Sequence, residues 1–480
     1  MVAIRHALMA SLCGALLVLG VSALAGLWLP ARHGFAIATF QADVTIPLGH
    51  PCMGGGISPA KEVVDPLLLK GFVLTGAAKP FVLASFDWCE IRGTSYEKWQ
   101  QVLAAAAGTD PSRVFVTSTH VHDAPVMDED AEKLLRDMEA SGAWKDLPAP
   151  DPRASVQVAS VCWPQFNEQC LSRVAAVVTG ALLHPHPVTN FGIGKARVLQ
   201  VASNRRYVTP AGAVSYNRMS RCIDPVAVAA DEGTVDPWLR TLSFWDGETP
   251  ICAVHSYAVH PMSRYGSGKI SWDFVGQARE DMQLAHPDVF QIYASGCSGN
   301  VTAGKYNRGD AGSKAVLAGR MKQAMEEAWQ STERHPLTAA DFHSALMPLG
   351  ARNTLGYTEA NLHARLEKGV RPFERSEAAM GLAWYERVKR EHQVLVPVLD
   401  LGTAQLVLLP AEAYVEFQLY AEELRPESFV MVMGYGESGP GYIPIERAWK
   451  EQDSNLHDWA WTPPGSEEVM HAAIRRALKP

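Results

Sequence analysis

The ten residues RVFVTSTHVH, Arg113 to His122, read as a short strand that ends in two histidines. Val114, Phe115, Val116 and Thr117 form a β-rich, largely apolar run of the kind that fits a mostly buried strand. His120 and His122 are two apart, and in extended chain that spacing sends both imidazoles to one side. Asp123, Ala124 and Pro125 stop the run, leaving the pair at a strand end, where sites on layered α/β proteins are commonly assembled. A histidine in such a place is more often a hydrogen-bonded structural residue than a ligand. The pair therefore gains meaning only from partners elsewhere in the chain.

The flanking sequence sets the fold class. FVLASF (Phe81 to Phe86) is a second apolar strand, and Tyr96 to Ala107 reads as a helix with Trp99, Val102 and Leu103 on one stripe and Gly108 as its stop. Strand, helix, strand is a βαβ unit, which predicts an α/β protein. Further on, Trp238 to Phe244 and Ile251 to His260 read as an antiparallel pair joined by a turn at Asp246-Gly247. Helices are expected over 171–183, 273–284, 310–327 and 466–478, with a helical hairpin lying over the surface at 359–390. Asp128 to Val161 reads as a helix followed by a polar, proline-interrupted surface insertion.

Length and composition bound the class. A chain of 480 residues with 47% hydrophobic and 20% charged residues has enough apolar sequence for a large core. The formal charge of −8 and the lack of a lysine or arginine run speak against nucleic-acid binding. Residues 1–30 differ from the rest: Arg5 and His6 precede an uncharged apolar stretch from Ala7 to Leu29, with Ala23-Leu24-Ala25 as a cleavage site. This predicts export, with the segment acting as a signal peptide or an uncleaved anchor and one domain over 35–480. Of the eight cysteines, Cys13 lies in that stretch, no CxxC pattern occurs, and Cys162 with Cys170 is the sequence-near pair for a disulfide.

Several other strand ends carry donors. His260 follows ICAVHSYAV and is backed by Pro261, while His255, five residues earlier, cannot share a strand face with it. Glu412 follows LVLLP, and GCSGNVTAG (Gly296 to Gly304) forms a loop whose glycines let backbone amides approach a ligand. Asn204-Arg205-Arg206 ends another strand, where adjacent arginines bind an anion or, more commonly, form a solvated surface pair. A catalytic zinc takes about three nitrogen or oxygen side-chain ligands and keeps one position for water. His120, His260 and Glu412 are donors of that type, and His122 is placed as a nearby base.

Five motifs in order resemble the neutral (non-lysosomal) ceramidase family. RVFVTSTHVHDAP resembles its strand and THTHSGP motif, VHPMSRYGSGKISWDFVGQA its HPxSM…SDNxGYA segment, and GCSGNVTAG falls at its GDVSPN loop. LLPAEAYVEF is similar to PGEFTTM, SGPGYIPIE to SGYVTTPEEY, and the opening ADVTIPLGHPCMGGG to ADIT…GY, so the resemblance runs from about Ala42 to Trp449. It implies a large multilayered α/β domain with mixed sheets flanked by helices, without the family's immunoglobulin-like C-terminal domain. It also implies zinc as cofactor, with His120, His260, Glu412 and Tyr442 as ligands and His122 beside the metal water. Asp273 matches the family's SDN aspartate, as a supporting or structural residue. Two residues depart from the pattern: Thr302 stands at the loop serine and Asn300 at its preceding acid.

The expected activity is zinc-dependent hydrolysis of an amide in a ceramide-like N-acyl lipid or related small molecule at a membrane surface. His122 would act as base then acid, with Tyr442, Thr302 and the Gly296 to Gly304 amides stabilising the oxyanion. Two alternatives stay open: a zinc esterase or deacetylase on a soluble substrate, and a metal-stabilised binding protein without catalysis.

Overall fold

The computed structural model describes residues 34–354 and 356–479; the predicted signal or anchor segment and Cys13 lie outside them. Three mixed sheets follow one another along the chain. The first comprises β1 (Phe35–Asp43), β2 (Leu68–Thr75), β3 (Phe81–Phe86), β4 (Val114–Ser118) and β5 (His186–Val188), in the spatial order β4-β3-β2-β1-β5. The second comprises β6 (Asn190–Arg197), β7 (Trp238–Asp246), β8 (Thr249–Tyr257), β9 (Phe290–Ser295) and β10 (Glu333–Pro336), in the order β9-β8-β7-β6-β10. The third has β11 (Asp341–Met347), β12 (Val394–Asp400), β13 (Ala404–Leu408) and β14 (Phe429–Met433), paired in chain order.

Each sheet contains one parallel pair: β3 with β4, β8 with β9, and β13 with β14. A parallel pair needs a crossover, and helices supply it. The helix α1 (Gly93–Ala107) joins β3 to β4 and ends where Gly108 takes φ 67, its N–H capping the carbonyls of Ala104 and Ala105. The expected βαβ unit is therefore present. The other crossovers are α2 (Asp273–Ala285), between β8 and β9, and α3 (Val415–Glu423), between β13 and β14.

One apolar core lies where the three sheets meet, drawing Phe72 and Phe115 from the first, Phe244 and Ile292 from the second, and Leu406 and Met431 from the third. Helices cover the outer faces. Burial of such side chains stabilises by about 25 cal/mol per Å² of apolar surface removed from water. Buried hydroxyls stitch the sheets together at one end. Ser85 Oγ donates to the Tyr293 carbonyl (2.6 Å), Ser256 Oγ to Val432 (2.9 Å), Thr117 Oγ1 to Gly434 (2.8 Å) and Ser295 Oγ to Thr119 (2.8 Å). These small polar residues, at or just beside strand ends, fix how the carboxyl ends of the three parallel pairs sit relative to each other.

Three sequence expectations need correction. The hairpin Glu359–Lys368 and Pro372–Lys389 forms, but its second helix does not lie over the surface: Trp384, Met380 and Ala379 are buried in the core outside the third sheet. Cys162 and Cys170 are not bonded; all seven described cysteines are free and buried. The reason is helical geometry, because Cys170 lies inside the helix Pro164–Ala181. At 1.5 Å rise per residue, six helical residues alone separate the pair by about 9 Å, beyond disulfide reach. The strand Val114–Ser118 also stops short of the histidines, and His120 takes φ 64, so strand alternation is not what brings His120 and His122 together.

Two outcomes follow. Dithiothreitol leaves the melting temperature unchanged in a thermal scan. Thr117→Val keeps the shape of the side chain but strips the Gly434 carbonyl of its buried donor, and lowers stability to urea by about 1–3 kcal/mol.

Candidate metal centre

All three parallel pairs point their carboxyl ends at one cavity of about 390 Å³. The chain after β4 delivers His120 and His122, the chain after β8 delivers His260, and the chain after β13 delivers Glu412, which pairs in parallel with Tyr442 in a two-residue ribbon. Sites outside the carboxyl ends of strands are the rule for open α/β sheets, and here three sheets share one.

The two imidazoles are fixed by their Nδ1 atoms. His120 Nδ1 lies 3.0 Å from the Cys89 carbonyl and His260 Nδ1 lies 2.6 Å from the Ser298 carbonyl. A carbonyl only accepts, so each Nδ1 carries the proton and each Nε2 presents a lone pair. Those two Nε2 atoms face each other at 3.0 Å. Glu412 Oε2 completes the group, 3.0 Å from His260 Nε2 and 3.3 Å from His120 Nε2.

Three buried donor atoms around one point can hold a metal cation between them. Zinc bonds to histidine and carboxylate of about 2.0–2.1 Å in a tetrahedron place neighbouring ligand atoms about 3.3 Å apart. The observed spacings match that, and the Nδ1-to-carbonyl bonds are the support usually found behind metal-ligating histidines. The residues present therefore fit a zinc ion, with His120, His260 and Glu412 as its holders.

His122 stands beside this group rather than in it. Its Nε2 is 3.4 Å from His120 Nε2, its ring meets Tyr265 edge-on at 4.9 Å, and its Nδ1 has no partner. Burial first, and then the neighbouring imidazoles, hold its pKa well below the ordinary histidine range. Tyr442 lines the same cavity; burial raises its phenol well above the usual value, and its oxygen accepts from Arg205 Nη1 at 2.8 Å. His255 is elsewhere, bound between Thr241 Oγ1 and Gln291 Oε1 in the second sheet.

The loop Gly296 to Gly304 is placed otherwise than expected. The amides of Gly296, Cys297, Gly299, Val301 and Gly304 all donate within the protein. Gly299 allows close backbone approach, but to the Glu412 segment: a Cβ there would meet the Glu412 carbonyl at 2.2 Å. Thr302 Oγ1 donates to the Met219 carbonyl at 3.1 Å and accepts from Gly304 N–H at 3.1 Å, and Thr302 does not line the cavity. Its hydroxyl is thus not brought to the histidines. Asn300 caps α3, accepting from Val415 N–H at 2.9 Å and donating to Glu416 Oε2 at 2.8 Å. Asp273, buried at the start of α2, accepts from Ser263 N–H at 2.9 Å and Phe274 N–H at 2.6 Å, a structural placement.

Arg205 is the residue that sequence reasoning misplaced. It is 2% exposed, bridges Tyr442 to the His260 side of the cluster with Nη2 3.4 Å from His260 Nε2, and leaves its Nε without a partner. Only Arg206 behaves as a surface pair, bidentate with Glu451. Glu90 also lines the cavity, ion-paired at 2.5 Å with Arg92, whose guanidinium lies over Trp459 and Trp461. Neither residue carries a spacing signal. The nearest clue to Arg205 is two arginines at a strand end with no acidic residue beside them. Met53, Met219, Met262, Tyr265 and Trp459 make the apolar part of the cavity wall, with Met219 and Tyr265 each 41% exposed at its mouth.

The fit is testable by metal analysis. Purified protein contains one zinc per chain, and Glu412→Gln or His120→Ala loses it. Zinc at 100 times its dissociation constant adds about 2.7 kcal/mol to stability, so a chelator lowers the melting temperature of the wild type and leaves the two variants unmoved.

No protein-family model matches this sequence, and no curated protein matches it. Solved structures do. A ceramidase complexed with C2 superposes with a TM-score of 0.62 at 16% identity, over 93% of this chain and 75% of that one. The neutral ceramidase from Pseudomonas aeruginosa superposes with a TM-score of 0.64 at 16% identity, over 93% of this chain and 74% of that one. At that identity the likeness is one of fold, and the multilayered α/β architecture around the cavity is the fold of these ceramidase structures.

Proposed function

We propose that this protein is a zinc-dependent hydrolase that cleaves an amide bond in a ceramide-like N-acyl lipid or a related small molecule. The observation that carries the reading is the group of three buried acceptor atoms, His120 Nε2, His260 Nε2 and Glu412 Oε2, spaced 3.0–3.3 Å apart beside His122. The fold shared with ceramidase structures supports it.

A zinc ion would be held by His120, His260, Glu412 and Tyr442, and would supply Lewis-acid polarisation and acidify water. The chain's own groups do the rest. His122 takes a proton from the attacking water as its oxygen bonds to the acyl carbon. Arg205, whose Nη1 donates to the Tyr442 oxygen at 2.8 Å, and Tyr442 itself lie on one side of the cavity, where they would face the negative charge that grows on the acyl oxygen. The C–N bond then breaks, and His122 returns its proton to the departing nitrogen, leaving a carboxylic acid and an amine. Thr302 acts behind the site, holding the loop through the Met219 carbonyl and the Gly304 amide. Met219, Met262 and Tyr265 form an apolar wall suited to an acyl chain. On this reading the chain is exported, residues 1–30 act as signal peptide or anchor, and residues 35–480 are the hydrolase domain, at work on a membrane-borne or soluble acyl substrate.

The test is release of fatty acid from a fluorescent N-acyl sphingosine, run beside ester and short N-acetyl substrates. Wild type turns over the long-chain amide. His122→Ala keeps one zinc per chain and loses about 10²- to 10⁴-fold in kcat, whereas His120→Ala loses zinc and activity together. Hydrolysis of esters or acetamides alone moves the substrate class, and zinc without turnover of any substrate defeats the enzyme reading.

A further inference from the structure

The ring of Tyr435 lies face-on against the His120 imidazole, with centroids 4.1 Å apart and planes 17° from parallel. Its hydroxyl meets Ser298 Oγ at 2.7 Å and stands 3.4 Å from His260 Nδ1. Ser298 is the residue whose carbonyl takes the His260 Nδ1 proton at 2.6 Å. The Tyr435 backbone reaches the remaining segments: its N–H donates to the Ala411 carbonyl at 3.2 Å, one residue before Glu412, and its carbonyl accepts from Ser118 N–H at 3.3 Å, two residues before His120. One side chain and its peptide groups therefore touch all three ligand-bearing segments.

Ordinary packing accounts for only part of this. Phenylalanine would fill the same volume in this buried position, and glycine would relieve the left-handed backbone, φ 55. What requires a tyrosine is the hydroxyl contact to Ser298. What requires the backbone conformation is the simultaneous reach to Ala411 and Ser118. His120 and Ala411 are themselves left-handed, at φ 64 and φ 57, so each conformation is held by its neighbours rather than by local preference.

We propose that Tyr435 is the positioning residue of the metal centre, fixing the ring planes of His120 and His260 and the backbone of Glu412 so that the ligand atoms are arrayed before the ion arrives. This rests on reading the cluster as a metal centre, not on the identity of the substrate.

The experiment titrates metal-free wild type, Tyr435→Phe and Tyr435→Leu with zinc against a chromophoric chelator, and records the visible spectrum of each cobalt-loaded form. Phenylalanine keeps the stack and loses the hydroxyl; leucine loses both. Zinc affinity falls about 10-fold for the first and about 100-fold for the second, the range typical of groups that orient metal ligands. The cobalt bands weaken and shift in the same order, while metal-free Tyr435→Phe melts with the wild type. Equal affinities and spectra in all three proteins overturn the proposal. So does a Tyr435→Phe variant that melts lower yet holds zinc as tightly as wild type, because the tyrosine is then packing alone. Loss of zinc binding in the wild type itself overturns the metal-centre reading. A wild type that binds zinc but hydrolyses nothing leaves the affinities to decide, and so separates failure of the enzyme reading from failure of this one.

Discussion

Two imidazoles with their Nδ1 protons committed to backbone carbonyls have no choice about what they present at Nε2. The Cys89 carbonyl holds His120 and the Ser298 carbonyl holds His260, so lone pairs meet at 3.0 Å with the Glu412 carboxylate beside them. In a buried place this arrangement is unfavourable until a positive charge occupies its centre. The surrounding structure is arranged to keep it that way. Left-handed backbone at His120, Ala411 and Tyr435 costs on the order of 1–3 kcal/mol at each residue, and a network of buried hydrogen bonds holds all three.

The fold supplies that network through repetition of one device. Each sheet contributes a parallel strand pair, and parallel pairs bring their carboxyl ends to the same side. Serine and threonine hydroxyls at those ends tie sheet to sheet, so the loops that follow start from fixed points. The apolar core on the far side of these stitches gives the arrangement its stability without taking part in the chemistry.

The departures from the ceramidase-like motifs become intelligible in this setting. Asn300 is a helix cap and a brace for Glu416, and Thr302 is a brace for its own loop, so both support the site from behind. Arg205 moves the other way, from apparent surface residue to a cation that reaches both Tyr442 and the histidine cluster. Helical hydrophobic spacing likewise marked the hairpin at 359–390 as helix but not as core. A helix buried on most of its faces differs from a covering one through what packs on it, which sequence does not display.

Local sequence determined the elements. Apolar runs, Gly108 and the Asp246-Gly247 turn sufficed to place the βαβ unit and the antiparallel pair, because hydrogen bonding and steric preference over a few residues decide them. Donor type was also local: His120, His260 and Glu412 are residues of metal-ligand type at strand ends, and the order of the ceramidase-like motifs singled them out. Convergence was not. His120 and Glu412 are 292 residues apart in a chain of 480, and their 3.3 Å approach depends on three sheets meeting at one core. Tertiary structure alone decided that His122 and His120 meet by a left-handed turn instead of strand alternation, that Arg205 faces inward, and that Tyr435 braces the histidines. These are contacts between segments with no common pattern, and only the packing of whole sheets sets them.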